Sequence, residues 1–506
     1  MMRAFVLLAL LVLGLGWPTP ASAESPADHA ESRAAARRLL LSARFKEAVT
    51  AFRALTRVQP SDGEAHYGLV VSLLKADRAR EADKAASGAM VAAPGTPGVL
   101  AAAGLAAFRR AELPAAERLL RLALRANAAH AGALKGLAAL HALQSQRRTA
   151  RRFLLDAFGA EPDDPELMLA YADTLEGAAR LEMMEHAHAA LDPTSEEAQG
   201  LAVDIAVVRA SLDRELARLT SPYSHTAIPI HDTSRDSHGP RPSLKVTLNG
   251  RYPATLLLDT GASGISLTPR TAARAGLLRL GEATAPIKGI GIGRPRQAGV
   301  FLASEFRVGA VAWADMPVLT VSTVSDDLDG VMGADVFRQF LVTLDFRRRQ
   351  VRLEPRPEGA GGDDAPRDAP PPPEGFARAW RFGNHLAVEA SVNGAEGLPF
   401  LLDSGAAVTI MDETTGRSVA TVLRGGGQQI YGIQGMARAS STRQARVEFL
   451  GRTTNNAALT VLDLTPLSDD LGVRFGGIVG MPLLAQAVLT IDYRDANVRI
   501  GEELSR

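Results

Sequence analysis

Apolar positions between residues 30 and 190 recur with a helical period, and they do so in blocks. Ala48, Ala82, Ala116 and Ala150 stand 34 residues apart; Pro60, Pro94, Ala128 and Pro162 keep the same spacing, as do Gly68, Ala102, Gly136 and Ala170. Each block reads as two amphipathic helices, with small residues where the helices must approach closely and a helix terminator closing three of the four blocks. A further helical stretch, to about Leu219, is expected to cap the stack. From residue 242 the period changes. Lys245-Val246-Thr247-Leu248 and Glu389-Ala390-Ser391-Val392 each run into an Asn-Gly pair, a hairpin signal. The strands that follow, Leu256-Leu257-Leu258 and Phe400-Leu401-Leu402, are apolar on both faces and therefore predicted to be buried.

The second half is a duplication. Asn249-Gly250 and Asn393-Gly394 are 144 residues apart, and so are Asp259-Thr260-Gly261-Ala262 and Asp403-Ser404-Gly405-Ala406. Further on, Gly289-Ile290-Gly291 pairs with Tyr431-Gly432-Ile433, Val331-Met332-Gly333 with Ile478-Val479-Gly480, and the strand Val342–Phe346 with Leu489–Tyr493. Along the whole copy the spacing drifts only from 143 to 147 residues, as small loop insertions allow. Residues 220–241 and 355–375 interrupt the periodic segments. The first is Ser/Thr/His-rich. The second is rich in Pro, Gly and Asp, and both are predicted to be linkers. The boundaries are then 1–23, 24–219 (helical repeats), 220–241 (linker), 242–354 (first β lobe), 355–375 (linker) and 376–506 (second β lobe).

Composition narrows the function. Lys+Arg and Asp+Glu both number 56, so the net charge is zero, which argues against a general nucleic-acid partner. Arg3, the apolar run Phe5–Leu15 and Ala21-Ser22-Ala23 read as a cleavable secretory signal, with the mature chain expected from Glu24 and no membrane span after cleavage. An uncleaved N-terminal anchor is the alternative. The chain has no cysteine, so disulfides, lipid attachment through cysteine and cysteine chemistry are excluded. An exported, cysteine-free, Ala/Arg-rich chain fits the bacterial periplasm, or otherwise secretion. His225, His231, Asp232 and His238 have no metal-site spacing, and no metal or other cofactor is expected. No Gly-x-Ser-x-Gly elbow, His-Glu-x-x-His helix or phosphate loop is present.

The helical blocks, through Glu47-Ala48…Phe52…Pro60 and Glu81-Ala82…Pro94, resemble the tetratricopeptide (TPR) repeat family. That resemblance implies a concave solenoid surface for a partner protein or peptide. A spacer or oligomerisation arm is the plainer reading. The duplicated lobes resemble retropepsin-like aspartic peptidases, over residues 242–354 and 376–506. A single Asp-Thr-Gly is a weak signal, since Asp and Gly are common in turns. Two copies in register, each with a downstream hydrophobic-hydrophobic-Gly string, are a strong one. The expected fold is thus an all-α TPR solenoid followed by two mainly-β lobes forming one pseudo-two-fold unit.

The resemblance carries residue roles with it. Asp259 and Asp403 would form a dyad that shares one proton, activates water and hydrolyses a peptide or protein substrate. Thr260 and Ser404 would bond across to the opposite lobe, and Gly261 and Gly405 would allow the sharp turn. Gly289, Ile290, Gly291, Tyr431, Gly432 and Ile433 would form flap tips that close over an extended substrate. Two alternatives stay open: a non-catalytic peptide-binding scaffold, and a site assembled from first lobes of two chains.

Overall fold

The computed structural model describes residues 26–501 apart from 223, 235–240, 288–295, 322–326, 357–366, 420–423 and 433–434. The expected signal segment lies outside the described residues. Helices α1 (Pro26–Leu41), α2 (Phe45–Val58), α3 (Gly63–Lys75), α4 (Ala79–Ala92), α5 (Pro97–Arg109), α6 (Leu113–Ala126), α7 (Ala131–Leu143), α8 (Arg147–Ala160), α9 (Pro165–Ala172), α10 (Gly177–Ala189) and α11 (Glu196–Ser211) pack successively as a TPR-like stack. The alanine series marks the contacts: Ala48, Ala82 and Ala116 are fully buried. A methyl group added to Gly68 would stand 2.3 Å from the Phe52 ring, so only glycine fits there. The turn inside each pair uses a left-handed residue at the same 34-residue spacing: Ala43, Asp77, Ala111 and Ser145, with φ between 58° and 66°. None of these is glycine, which hid the series from sequence reading.

The stack curls until its ends meet. Arg37 Nη2 reaches Glu161 Oε2 at 2.8 Å, Lys75 pairs with Glu166, and Asp192 N–H donates to Ser42 O at 2.9 Å. The concave face therefore encloses a cavity of about 310 Å³, lined by residues such as Leu40, Phe52, Tyr67, Leu169 and Leu201.

The chain then enters the first lobe: β1 (Arg218–Leu219), β2 (Thr226–Pro229), β3 (His231–Asp232), β4 (Pro242–Leu248), β5 (Tyr252–Asp259), β6 (Ile265–Leu267), α12 (Pro269–Ala275), β7 (Leu278–Ile287), β8 (Arg296–Val308), β9 (Val311–Thr320), β10 (Gly330–Gly333), β11 (Phe340–Asp345) and β12 (Gln350–Pro355). The second lobe holds β13 (Ala377–Arg378), β14 (Trp380–Phe382), β15 (His385–Val392), β16 (Ala395–Leu402), β17 (Ile410–Asp412), α13 (Glu413–Ser418), β18 (Arg424–Gly432), β19 (Gly435–Phe449), β20 (Arg452–Leu462), α14 (Thr465–Asp470), β21 (Gly477–Val479), α15 (Met481–Leu484), β22 (Val488–Asp492) and β23 (Asn497–Gly501).

Each lobe closes a six-stranded ring. In the first, the pairing runs β4-β5-β10-β6-β9-β8 and back to β4; in the second, β15-β16-β21-β17-β20-β19 and back to β15. Closure leaves no unpaired edge in the ring. Both expected Asn-Gly hairpins form, with positive φ at Asn249, Gly250, Asn393 and Gly394. A separate six-stranded sheet, β13-β23-β22-β11-β12-β2, joins the lobes. At its centre β11 pairs antiparallel with β22, Thr343 opposite Thr490, and their hydroxyls lie 3.2 Å apart. These threonines hold equivalent places in the two copies, so the pseudo-two-fold axis passes between them.

Three expectations need correction. The helical module does not extend to Leu219, because α11 ends at Ser211 and Arg218–Leu219 pair with β9. Residues 220–241 are not wholly linker, because Thr226–Pro229 form an outer strand of the shared sheet and bury Ile228 to 2% exposure. The end of the Pro-rich segment is not free either. Ala369 N–H donates to Ser145 O at 3.1 Å, and Arg147 N–H to Arg367 O at 3.2 Å.

Asp368 accepts from Thr149 N at 2.9 Å and Thr149 Oγ1 at 2.8 Å. Gln146, the residue before α8, contributes no side-chain cap. Asp368 thus caps a repeat helix from the interlobe segment. Nearby, Phe108, Leu113 and Leu143 join the cluster around Phe475 and Ile478, and a nearly buried Arg109–Asp469 ion pair accompanies them. Replacing Asp368 with Ala should lower unfolding stability by about 1 kcal/mol, while Asp368→Asn should retain most of it. The midpoint of urea unfolding checks both.

Candidate active site

Strand β5 ends on Asp259, and β16 ends at Leu402, one residue before Asp403. Leu258 and Leu402, just before them, are buried at 0% and 1% exposure. Behind each turn runs the hydrophobic-hydrophobic-Gly string. β10 pairs parallel with β5, Gly333 opposite Asp259; β21 pairs with β16, Val479 opposite Leu402. Glycine is required by space: a methyl on Gly333 would stand 2.6 Å from Ala262 O, and one on Gly480 2.2 Å from Val408 O.

The two turns are tied together by four reciprocal hydrogen bonds. Thr260 N donates to Ser404 Oγ at 3.0 Å and Ser404 N to Thr260 Oγ1 at 2.9 Å. Each hydroxyl also donates to the opposite lobe, Thr260 Oγ1 to Leu402 O at 2.9 Å and Ser404 Oγ to Leu258 O at 2.8 Å. Both side chains are buried, at 4% and 1% exposure. This arrangement places the aspartates face to face.

The two carboxyl groups lie side by side, close enough for one proton to bridge them. Asp259 Oδ1 also accepts from Gly261 N at 2.7 Å, and Asp403 Oδ1 from Gly405 N and Ala406 N, both at 2.8 Å. Each carboxylate rests over the other lobe's glycine. A methyl on Gly261 would stand 2.6 Å from Asp403 Cγ, and one on Gly405 2.4 Å from Asp259 Oδ2. Burial raises both carboxyls above the ordinary 3.8, and the adjacent charge of Asp259 helps hold Asp403 well above it. Two carboxyls so placed resist ionising together, and the proton retained belongs to the pair rather than to either residue.

Other polar residues lie beside this pair, and symmetry-based reading missed them. Asp335 follows Gly333, yet its counterpart in the second lobe is Pro482. Its carboxylate accepts from Gly264 N at 3.0 Å and Ser263 Oγ at 3.3 Å, and Ser263 Oγ accepts from Asn384 Nδ2 of the second lobe at 2.8 Å. Burial raises Asp335 and lifts Tyr493 well above its ordinary range; the charges of Asp335 and Asp259 raise Tyr493 further. The break in the repeat at Asp335/Pro482 was the available sequence signal. Of the residues expected at the flap tips, Tyr431 and Gly432 end β18, opposite Met436 and Gly435 in its pairing with β19. Gly289, Ile290, Gly291 and Ile433 lie outside the described residues.

The family profile described as aspartyl protease matches residues 244–336 and 388–483, once on each lobe. A retropepsin-like aspartic protease from Rickettsia conorii is 15% identical, covering 27% of this chain and 96% of its own, with a TM-score of 0.20. Basic 7S globulin from soybean is 8% identical, covering 56% of this chain and 95% of its own, with a TM-score of 0.32. A thermophilic TPR protein of Thermus thermophilus is 25% identical, covering 36% of this chain and 98% of its own, with a TM-score of 0.25. None of the curated proteins compared matches this chain. Each β lobe is thus similar to the aspartyl-protease profile, and the two follow a module of repeated, TPR-like helices.

Two outcomes follow. Thr260→Val removes two of the four tying bonds and leaves the buried Ser404 N–H without its acceptor, so it should destabilise the chain by about 2–4 kcal/mol, whereas Thr260→Ser should be near neutral. Chemical denaturation reads the difference. The second concerns charge. Because Asp403 binds its proton more tightly folded than unfolded, stability is lost as pH rises from 3.8 through the raised folded value. Asp403→Asn should therefore raise the melting temperature at pH 7 and give no gain at pH 3.

Proposed function

We propose that this chain is an exported aspartic endopeptidase, with Asp259 and Asp403 as its catalytic dyad. The observation that carries the reading is the four-bond tie between Thr260 and Ser404, which sets the carboxyl groups of one chain side by side. The ionised member of the pair takes a proton from a water bound between the two, and that water attacks the scissile carbonyl carbon. The protonated member hydrogen-bonds the developing oxyanion. A proton from the dyad then passes to the amide nitrogen as the carbon–nitrogen bond breaks, releasing an acid and an amine. No cofactor enters this chemistry.

An extended peptide is the natural substrate, because a cleft beneath hairpin strands binds backbone as an added strand. The TPR module supplies a second contact for the substrate or for a regulatory protein. Export to the periplasm, or secretion, rests on the N-terminal segment. No helix of the described residues is long and apolar enough to cross a membrane.

The test uses mature protein and an unfolded protein substrate from pH 3 to 8. Cleavage should follow a bell. Its acid limb falls as the second carboxylate protonates, and its alkaline limb falls as the shared proton is lost, displaced upward by the raised Asp403. Asp259→Asn and Asp403→Asn should each lower kcat by at least ~10³-fold. Absence of cleavage at every pH by folded protein would turn the reading to a peptide-binding scaffold.

A further inference from the structure

The two lobes are copies, yet the helical module treats their hairpins differently. Helix α11 is buried on two opposite faces. Leu201 and Ile205 join Met184 and Ala187 inside the module. Val203 and Ala206 point the other way by helical geometry and are each only 7% exposed. On that side α11 packs along β7 and reaches β8, the strands of the first lobe's hairpin.

The helix is also anchored just beyond its end. Ala217 N donates to Asp315 O at 2.9 Å, Arg214 lies 3.6 Å from Asp315, and Arg218–Leu219 pair with Ala314 and Trp313 of β9. In the second lobe, β18 pairs with β19, and among the described residues no helix packs along β18. There the module docks elsewhere, through Arg109–Asp469, Arg381–Ser145 and the cap from Asp368.

We infer that α11 is a brace that holds the first lobe's hairpin strands in place, so that the second lobe's hairpin β18–β19 is the one displaced when substrate enters. Opening β7–β8 must strip the buried face of α11 from the sheet, whereas among the described residues no helix lies packed along β18 to be stripped when β18–β19 opens. The brace itself needs no catalytic assignment; its role in substrate entry rests on the peptidase reading above. It also gives the module a task beyond recruitment. Glu197 and Leu201 of the same helix line the central cavity, so the module's curvature and the hairpin's position share one rigid element.

Hydrogen–deuterium exchange on the full mature chain, without substrate, tests the brace directly. Amides of residues 278–287 and 296–308 should exchange at least about tenfold more slowly than those of residues 424–432. Val203→Ala should speed exchange in β7 and β8 by about fivefold and leave β18 unchanged. Val203→Thr, which keeps the shape and adds a hydroxyl to the buried face, serves as the second variant and should act in the same direction. Equal exchange in the two hairpins of the wild type, or variants that loosen α11 while β7 and β8 keep their rates, would overturn the inference. Because exchange is read without turnover, a chain that cleaves nothing yet shows this pattern would count against the peptidase reading alone.

Discussion

Everything at the cleft depends on the reciprocal pairing of Thr260 and Ser404. Two carboxylates repel when both ionise, and nothing in either lobe alone would hold them together. The hydroxyls do so by bonding backbone groups of the opposite lobe at 2.8–3.0 Å, in an environment where a broken bond strands a buried donor or acceptor. The lobes are thus clamped at their aspartate turns and again at Thr343–Thr490 in the shared sheet. Between those two points the dyad has little freedom, which is what a shared proton requires.

Fusion of the lobes into one chain permits asymmetry, and the structure uses it. Asp335 with Ser263 and Asn384 puts a polar relay across the lobe boundary on one side, where the other side has Pro482. The helical module adds a second asymmetry by packing α11 on one hairpin and docking its α7–α8 turn on the interlobe segment. A module joined by free linkers would have left the lobes equivalent. Here, Asp368 and the Arg109–Asp469 pair make it part of the same body.

Much of this was legible in the chain. Short apolar runs ending in Asn-Gly or Asp-Thr/Ser-Gly have few ways to fold, and seeing each twice removed most of the ambiguity. The 34-residue alanine series likewise located helix contacts. What escaped was whatever depends on distant partners. Thr226–Pro229 is a strand only because β12 lies beside it, and its local composition reads as linker. Asp368 caps a helix more than two hundred residues earlier, and local capping rules see no such pair. Asp335 was passed over because a search for symmetry discounts the position where the copies differ.

The central claim is that one chain builds one complete dyad from its own two lobes. The most direct measurement mixes Asp259→Asn protein with Asp403→Asn protein over a range of concentrations and follows cleavage of an unfolded substrate. If each site is made within a chain, every molecule in the mixture lacks one carboxylate, and the mixture stays as inactive as its components. If first lobes of two chains pair instead, the Asp403→Asn protein retains two intact Asp259 residues. Activity that rises with its concentration would contradict the account.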